Sequence, residues 1–281
     1  MRQFILDKEP DTNGLLKIVG KDYRYLHQVL RVRQGNMLSI RLPDGTLTNA
    51  TVCKIDEANK NMTAQICSLQ KQDDFSCSAD RKTQSVTKGT QATDIQKEMQ
   101  DVEYTLLQFI PKLTKMEQII RQSVECGVKR IIPVVGEYSQ KSSVQALSIQ
   151  GAKTERIQRI IREARQQSGS PIETQIEKPM NLSAAVGLWK KNLKNKDESV
   201  SVALWERNEN SKPLKKLING RKIKDAALAV GCEGGISPAE IDFLNSEGFF
   251  SVHFEGNILR CETASLFGIA ALQTTIRNEN E

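Results

Sequence analysis

Five apolar residues, Ala226–Val230, run directly into Gly231-Cys232-Glu233-Gly234-Gly235 and then Ile236-Ser237-Pro238-Ala239-Glu240. No other stretch constrains the fold as tightly. The apolar run reads as a short buried strand, and the glycines then release the backbone into a tight loop. Ser237 reads as a helix N-cap, Pro238 suits the first helical position, and Glu240 completes a capping box. Strand, bare loop and helix start follow in order. In an open α/β sheet ligands bind at such a junction.

The loop is neither a P-loop, because no Lys-Ser/Thr pair follows, nor a dinucleotide GxGxxG. Glu233 would repel a phosphate. A phosphate-free ligand, in particular a cationic one, fits better, and a tight strand-to-helix turn with no ligand is the plain alternative.

Composition narrows the classes further. The 281 residues carry 40 Lys+Arg against 34 Asp+Glu, a net charge of +6 that permits a polyanionic partner. The six cysteines, Cys53, Cys67, Cys77, Cys126, Cys232 and Cys261, are scattered with no CxxC pair, and His27 and His253 are the only histidines. No metal site is expected on that spacing, and reduced thiols are the default. With no transmembrane-length apolar run and no signal-peptide pattern at Met1-Arg2-Gln3-Phe4, a soluble, cytoplasmic protein without membrane contact is expected.

Residues 1–72 read as a small antiparallel barrel. Strands are expected at 3–6, 15–19, 37–42, 46–55 and 62–69, with Pro43-Asp44-Gly45 as a turn. A helix over 21–30 would place Tyr23, Leu26, Val29 and Leu30 on one face. Eleven basic residues stand against seven acidic ones here, as in basic barrels that bind nucleic acid. Residues 73–101 turn polar and read as a linker or surface loop. From 102 to 281 strands alternate with helices. Strands are expected at 104–110, 130–135, 172–176, 200–205, 226–230 and 249–254, and helices at 113–126, 153–167 and 260–277. That alternation predicts a mostly parallel sheet covered on both faces.

A second strand-to-helix junction is Glu255-Gly256-Asn257-Ile258-Leu259-Arg260, followed by Cys261-Glu262-Thr263-Ala264. If the two strands are neighbours, the loops face each other across one crevice. Ile258 and Leu259 would there flank an aromatic base, or else be ordinary core. Ala264 and Gly268 are small residues four apart, which lets another backbone approach inside the domain or across a dimer. Arg156, Arg159, Arg162 and Arg165 form a basic stripe that would track a phosphate backbone or simply be a solvated face. Glu206 is one more carboxylate at a strand end.

Val230-Gly231-Cys232-Glu233-Gly234-Gly235-Ile236-Ser237 with Glu240-Ile241 resembles the signature (L/I)GPEGG(F/L)S…EI, and Glu255–Ala264 resembles LGxRILRxETA. In this order the pair resembles the RsmE-type 16S ribosomal RNA uridine-N3 methyltransferases of the SPOUT (α/β-knot) superfamily. His27–Val32 with Gly35 is similar to that family's entry into its N-terminal barrel. Lys115-Met116-Glu117 through Val128 and Ile132-Pro133, and Ala164–Gly169, are similar to two further segments. Cys232 stands where the family has proline, Glu255 where it has leucine, Asn257 where it has arginine, and Ser170 where it has arginine.

The resemblance implies an α/β fold: a C-terminal SPOUT domain with a trefoil knot, preceded by a small PUA-like β-barrel. It implies S-adenosylmethionine as cofactor, a homodimer, and 16S rRNA of the small ribosomal subunit as partner. Carried over by motif position, Leu204, Val230, Gly231, Glu233, Gly234, Gly235, Glu255, Gly256, Asn257, Ile258, Leu259, Thr263 and Ala264 would hold the cofactor. RNA contact falls to Arg2, Arg24, Arg31 and Arg33. Methyl transfer to nitrogen is an in-line displacement, so positioning carries much of the catalysis. Uridine N3 must lose its proton, for which Arg260, Glu262 and Glu206 are the candidates by motif position. The alternatives are a SPOUT methyltransferase acting on a different RNA nucleotide and a non-catalytic RNA-binding or ribosome-assembly protein.

Overall fold

The structure is a computed structural model that describes residues 3–67, 102–149, 151–207 and 211–280. The chain forms two compact units, one holding everything described up to Cys67 and the other everything from Val102 onward. The expected linker at 73–101 and Arg2 lie outside the described residues.

The first unit is a curled five-stranded sheet. Its strands are β1 (Phe4–Ile5), β2 (Leu15–Val19), β3 (Met37–Arg41), β4 (Leu47–Asp56) and β5 (Asn61–Ile66), in the order β1-β3-β4-β5-β2. Only the β1–β3 pair is parallel. A register shift between Val52 and Lys54 puts a bulge in β4, which bends the sheet over a core of Leu16, Ile18, Leu26, Ile40, Val52 and Met62.

The helix expected over 21–30 is only half as described. An α-turn, α1 (Gly20–Arg24), passes into a π-turn over Tyr25–Val29, where Leu30 N–H donates to the Tyr25 carbonyl at 3.0 Å. The wider π-turn rotates the following side chains off the buried face. Tyr23 and Leu26 stay inside while Val29 is 66% exposed.

The second unit is a parallel sheet between two helical layers. Strands β6 (Glu103–Phe109), β7 (Arg130–Val135), β8 (Gln175–Ile176), β9 (Met180–Asn181), β10 (Ser199–Leu204), β11 (Asp225–Val230) and β12 (Phe250–Val252) run in the order β12-β10-β11-β6-β7-β8, with β9 also on β7. The helices are α2 (Leu113–Glu125), α3 (Lys141–Ser148), α4 (Ala152–Ser168), α5 (Leu182–Lys191), α6 (Leu214–Ile218), α7 (Pro238–Ser246) and α8 (Cys261–Asn280). One face packs Leu106, Ile131, Val202 and Leu228 against α2, α4, α6 and α8. The other packs Leu107, Ile132, Ala203 and Ala229 against α5 and α7. Every residue of β11 is therefore buried, which explains its unbroken apolar pattern after Asp225. The expected strands at 172–176 and 249–254 form only as the shorter β8 and β12, both at the sheet's margins.

The arginine stripe on α4 is partly engaged by ion pairs and carbonyls of this unit. Arg156 makes a two-pronged pair with Glu117 at 2.6 and 2.8 Å, and Arg159 pairs with Glu163 at 3.9 Å. Arg165 donates to the carbonyls of Ser170 and Pro171, and burial lowers its pKa. Arg156 ties α4 to α2 and Arg165 ties α4 to the loop after it, while Arg156 and Arg159 stay exposed on a solvated face.

Candidate functional site

Strand order decides the site. The two strands that lead into the loops are not neighbours, because β10 lies between β11 and β12. The crevice is thus built from three strand ends: Leu204-Trp205-Glu206 at the end of β10, Gly231–Gly235 after β11, and His253-Phe254 with Gly256–Arg260 after β12. Together with Lys115 from α2 they enclose a cavity of about 470 Å³.

Close packing shapes the first loop. A Cβ on Gly231 would lie 2.5 Å from the carbonyl carbon of Gly235, and one on Gly234 would lie 2.8 Å from Cβ of Tyr138. Gly235 has φ +78 and donates its N–H to the Cys232 carbonyl at 3.0 Å. Cys232 donates its thiol to the Tyr138 carbonyl at 3.2 Å, so it anchors the loop by a weak hydrogen bond where a proline would do so by ring rigidity. Burial pushes its pKa up, which keeps it a neutral donor. The capping box at Ser237 and Glu240 is present as the sequence predicts. Glu240 also accepts from the Glu137 N–H at 2.8 Å, tying α7 to the loop after β7.

Within the wall a polar cluster joins α2 to both loops. Lys115 Nζ lies 3.1 Å from Glu262 Oε2, 3.8 Å from Glu233 Oε1 and 3.9 Å from Cys261 Sγ. Burial works against the ammonium, but the Glu262 hydrogen bond and the nearby charges raise its pKa overall. Burial likewise opposes the Glu262 carboxylate, yet a backbone hydrogen bond and Lys115 hold it below the usual range. The Cys261 thiol donates to Glu262 at 3.3 Å; burial first, and that bond second, push it up to about 12.

A family model for the RNA methyltransferase domain matches residues 98–273, more than half of the chain. The chain belongs to that family. It is 29% identical over 240 residues to the ribosomal RNA small subunit methyltransferase E of Aquifex aeolicus, covering 83% of this chain and 92% of the relative. It is 24% identical over 285 residues to ribosomal RNA small subunit methyltransferase E 2 of Borreliella burgdorferi, covering both chains fully. Among solved structures, the ribosomal RNA small subunit methyltransferase E of Neisseria gonorrhoeae, bound to S-adenosyl methionine, shares the fold. Its TM-score is 0.70 at 22% identity, covering 98% of this chain and 97% of that one.

On this RNA methyltransferase domain the motif residues divide. Leu204, Glu206, Val230, Gly231, Glu233, Gly234, Gly235, Gly256, Asn257, Ile258, Leu259, Arg260 and Ala264 all line the cavity. Glu255, Glu262 and Thr263 do not. Glu255 and Thr263 face solvent, and Glu262 stands behind Lys115. Ile258 is 85% exposed at the rim, so it is not ordinary core. Glu206 and Arg260 are exposed and have no ion-pair partner among the described residues. Arg24, Arg31 and Arg33 sit exposed on the first unit.

Sequence reasoning passed over Lys115, Trp205, Val252, His253, Phe254 and Cys261 as cavity residues. Lys115 had a signal, since it begins one of the matching segments. His253 carries one only in three dimensions. Its Nδ1 lies 3.3 Å from the Trp205 carbonyl, which can only accept, so that nitrogen carries the proton.

Proposed function

We propose that this chain uses S-adenosylmethionine to methylate N3 of a uridine in 16S ribosomal RNA, as a homodimer. The observation that carries the reading is the cavity itself: a loop whose Gly231 and Gly234 leave no room for a Cβ, apolar walls, and the carboxylates of Glu206 and Glu233 in its lining. Its volume of about 470 Å³ lies within the range of small-molecule sites. The names of the relatives and the cofactor of the gonococcal structure point the same way.

The donor set fits that cofactor. Backbone groups of Gly231–Gly235 would hold the nucleoside, Leu204, Ile258 and Leu259 would flank its base, and Glu206 and Glu233 would face its positive end. The cofactor supplies a methyl group already activated by the sulfonium charge. The protein's task is to align the acceptor nitrogen and manage its proton. Arg260, exposed at the rim, would stabilise the anionic base, and Glu206, which lines the cavity, would take the N3 proton directly or through water. Glu262 is committed to Lys115 and serves the wall.

RNA contact falls to the exposed Arg24, Arg31 and Arg33 of the first unit. For the dimer, α8 offers Phe267, 49% exposed and edge-on to Phe254 at 4.9 Å, beside the exposed Ala270. An apolar strip of that kind suits a second copy.

Mass spectrometry of 16S ribosomal RNA from a deletion strain, with and without the restored gene, tests the reading. A methyluridine that disappears and returns is the expected result. A full complement of methyluridines in the deletion strain would refute it.

A further inference from the structure

Lys115 is on the wrong element to be a motif residue of either loop, yet it touches both. Through Glu233 it reaches the loop after β11, and through Glu262 it reaches the first turn of α8. The Lys112 N–H on the same segment also donates to Glu233, at 3.2 Å, so the carboxylate is fixed from α2 at two points. Side-chain exposures of 26%, 27% and 14% for Lys115, Glu233 and Glu262 keep these pairs partly shielded from water.

The charge count has a direction. The ammonium offsets one of the two carboxylates, and Cys261 beside them stays a neutral thiol. The other charged residues lining the cavity, Glu206 and Arg260, carry one charge of each sign. Lys115 lies closer to Glu262 behind it, at 3.1 Å, than to Glu233, at 3.8 Å, so with Glu262 counted the cluster carries one net negative charge, and Glu233 is its carboxylate on the cavity side. A cationic methyl donor is attracted by it, while the demethylated product, a neutral thioether, is not.

We infer that Lys115 is a positioning residue of the cofactor cavity, holding Glu233 and Glu262 so that their wall keeps one uncompensated negative charge toward a sulfonium. The inference rests on the methyl-donor reading above. Lys115 thereby sets two things: the register between the two loops, and the preference for S-adenosylmethionine over S-adenosylhomocysteine.

Calorimetric titration of the full chain with both compounds separates these. In K115M both should bind about tenfold more weakly, because two carboxylates lose their common tether, and K115R should recover most of that loss. The ratio of the homocysteine to the methionine dissociation constant should rise about threefold in K115M, which adds net negative charge. It should fall by a similar factor in E233Q, which removes it. A thermal melt of each variant confirms that it folds. In turnover, K115M should raise KM for the methyl donor and leave KM for RNA unchanged. Wild-type affinities in a folded K115M, or ratios that move together in K115M and E233Q, would overturn the inference. A wild-type chain that binds neither compound would instead remove the methyl-donor reading on which it stands.

Discussion

The Gln108 amide and the Ser265 hydroxyl meet at 2.6 Å in the fully buried interior, joining β6 to the first turns of α8. Gln108 Nε2 also points at the carbonyls of Val230 and Gly231, at 3.3 and 3.1 Å, where β11 gives way to the glycine loop. One side chain therefore fixes the root of one loop against the helix that follows the other. Replacing it by leucine keeps the volume but removes the side-chain donor that those carbonyls share. Q108L should lose about 1–3 kcal/mol of stability in urea unfolding. A variant as stable as wild type would show that these bonds hold nothing.

Gly231 and Gly187 make a matched pair of tests. An alanine methyl at 231 would meet backbone of Gly235 at 2.5 Å, and backbone cannot swing aside as a side chain can. G231A should weaken cofactor binding by at least about tenfold, with a stability loss of about 1–3 kcal/mol. Gly187 is exposed within α5, and a Cβ there meets nothing within 4 Å. G187A should gain about 0.5–1 kcal/mol from helix propensity and leave titrations unchanged. Equal behaviour of the two variants would argue against a steric role for Gly231.

Where sequence and structure agree, the cause is local. Gly231–Glu240 announces itself because strand burial, glycine and a capping box are each written in neighbouring residues. The π-turn at Tyr25–Val29 is not legible, because its extra residue is fixed by the packing of Tyr23 and Leu26 against the sheet. The placing of β10 between β11 and β12 is equally silent, since every strand reads alike and order comes from the crossovers. Lys115 was visible as part of a motif, but its partners Glu233 and Glu262 lie more than a hundred positions away. Thr263 and Glu255 show the converse. Their motif positions suggested a wall that the helix turn and loop direct to solvent.

The Lys115–Glu262 pair has a definite pH signature. Glu262 titrates below its ordinary 4.5 in the folded protein, so its contribution is complete above that value and is lost as pH falls through the lower folded pKa. Lys115 titrates above its ordinary 10.5, so its share is complete below that value and is lost as pH rises through the folded one. The stability difference between wild type and E262Q should hence be flat around pH 7 and shrink below about pH 4. Urea unfolding at both pH values measures it. A difference that grows on acidification would mean that Glu262 is not stabilised as a carboxylate.

Arg31 is the sharpest test of RNA binding, because its backbone already sits at φ 52, a left-handed conformation that costs a non-glycine residue about 1–2 kcal/mol. Its guanidinium is exposed, as is that of Arg33, and neither has an ion-pair partner among the described residues. Each phosphate interaction removed should reduce the slope of log affinity against log salt by about 0.7–0.9. In a 16S RNA titration, R31A/R33A should therefore bind more weakly at low salt and show a slope shallower by up to about 2. R31G supplies the control for folding. It removes the charge while relieving the backbone, so it should melt no lower than wild type and still show a shallower slope. If R31G keeps the full wild-type slope, phosphate binding at Arg31 is excluded, whatever the double variant does.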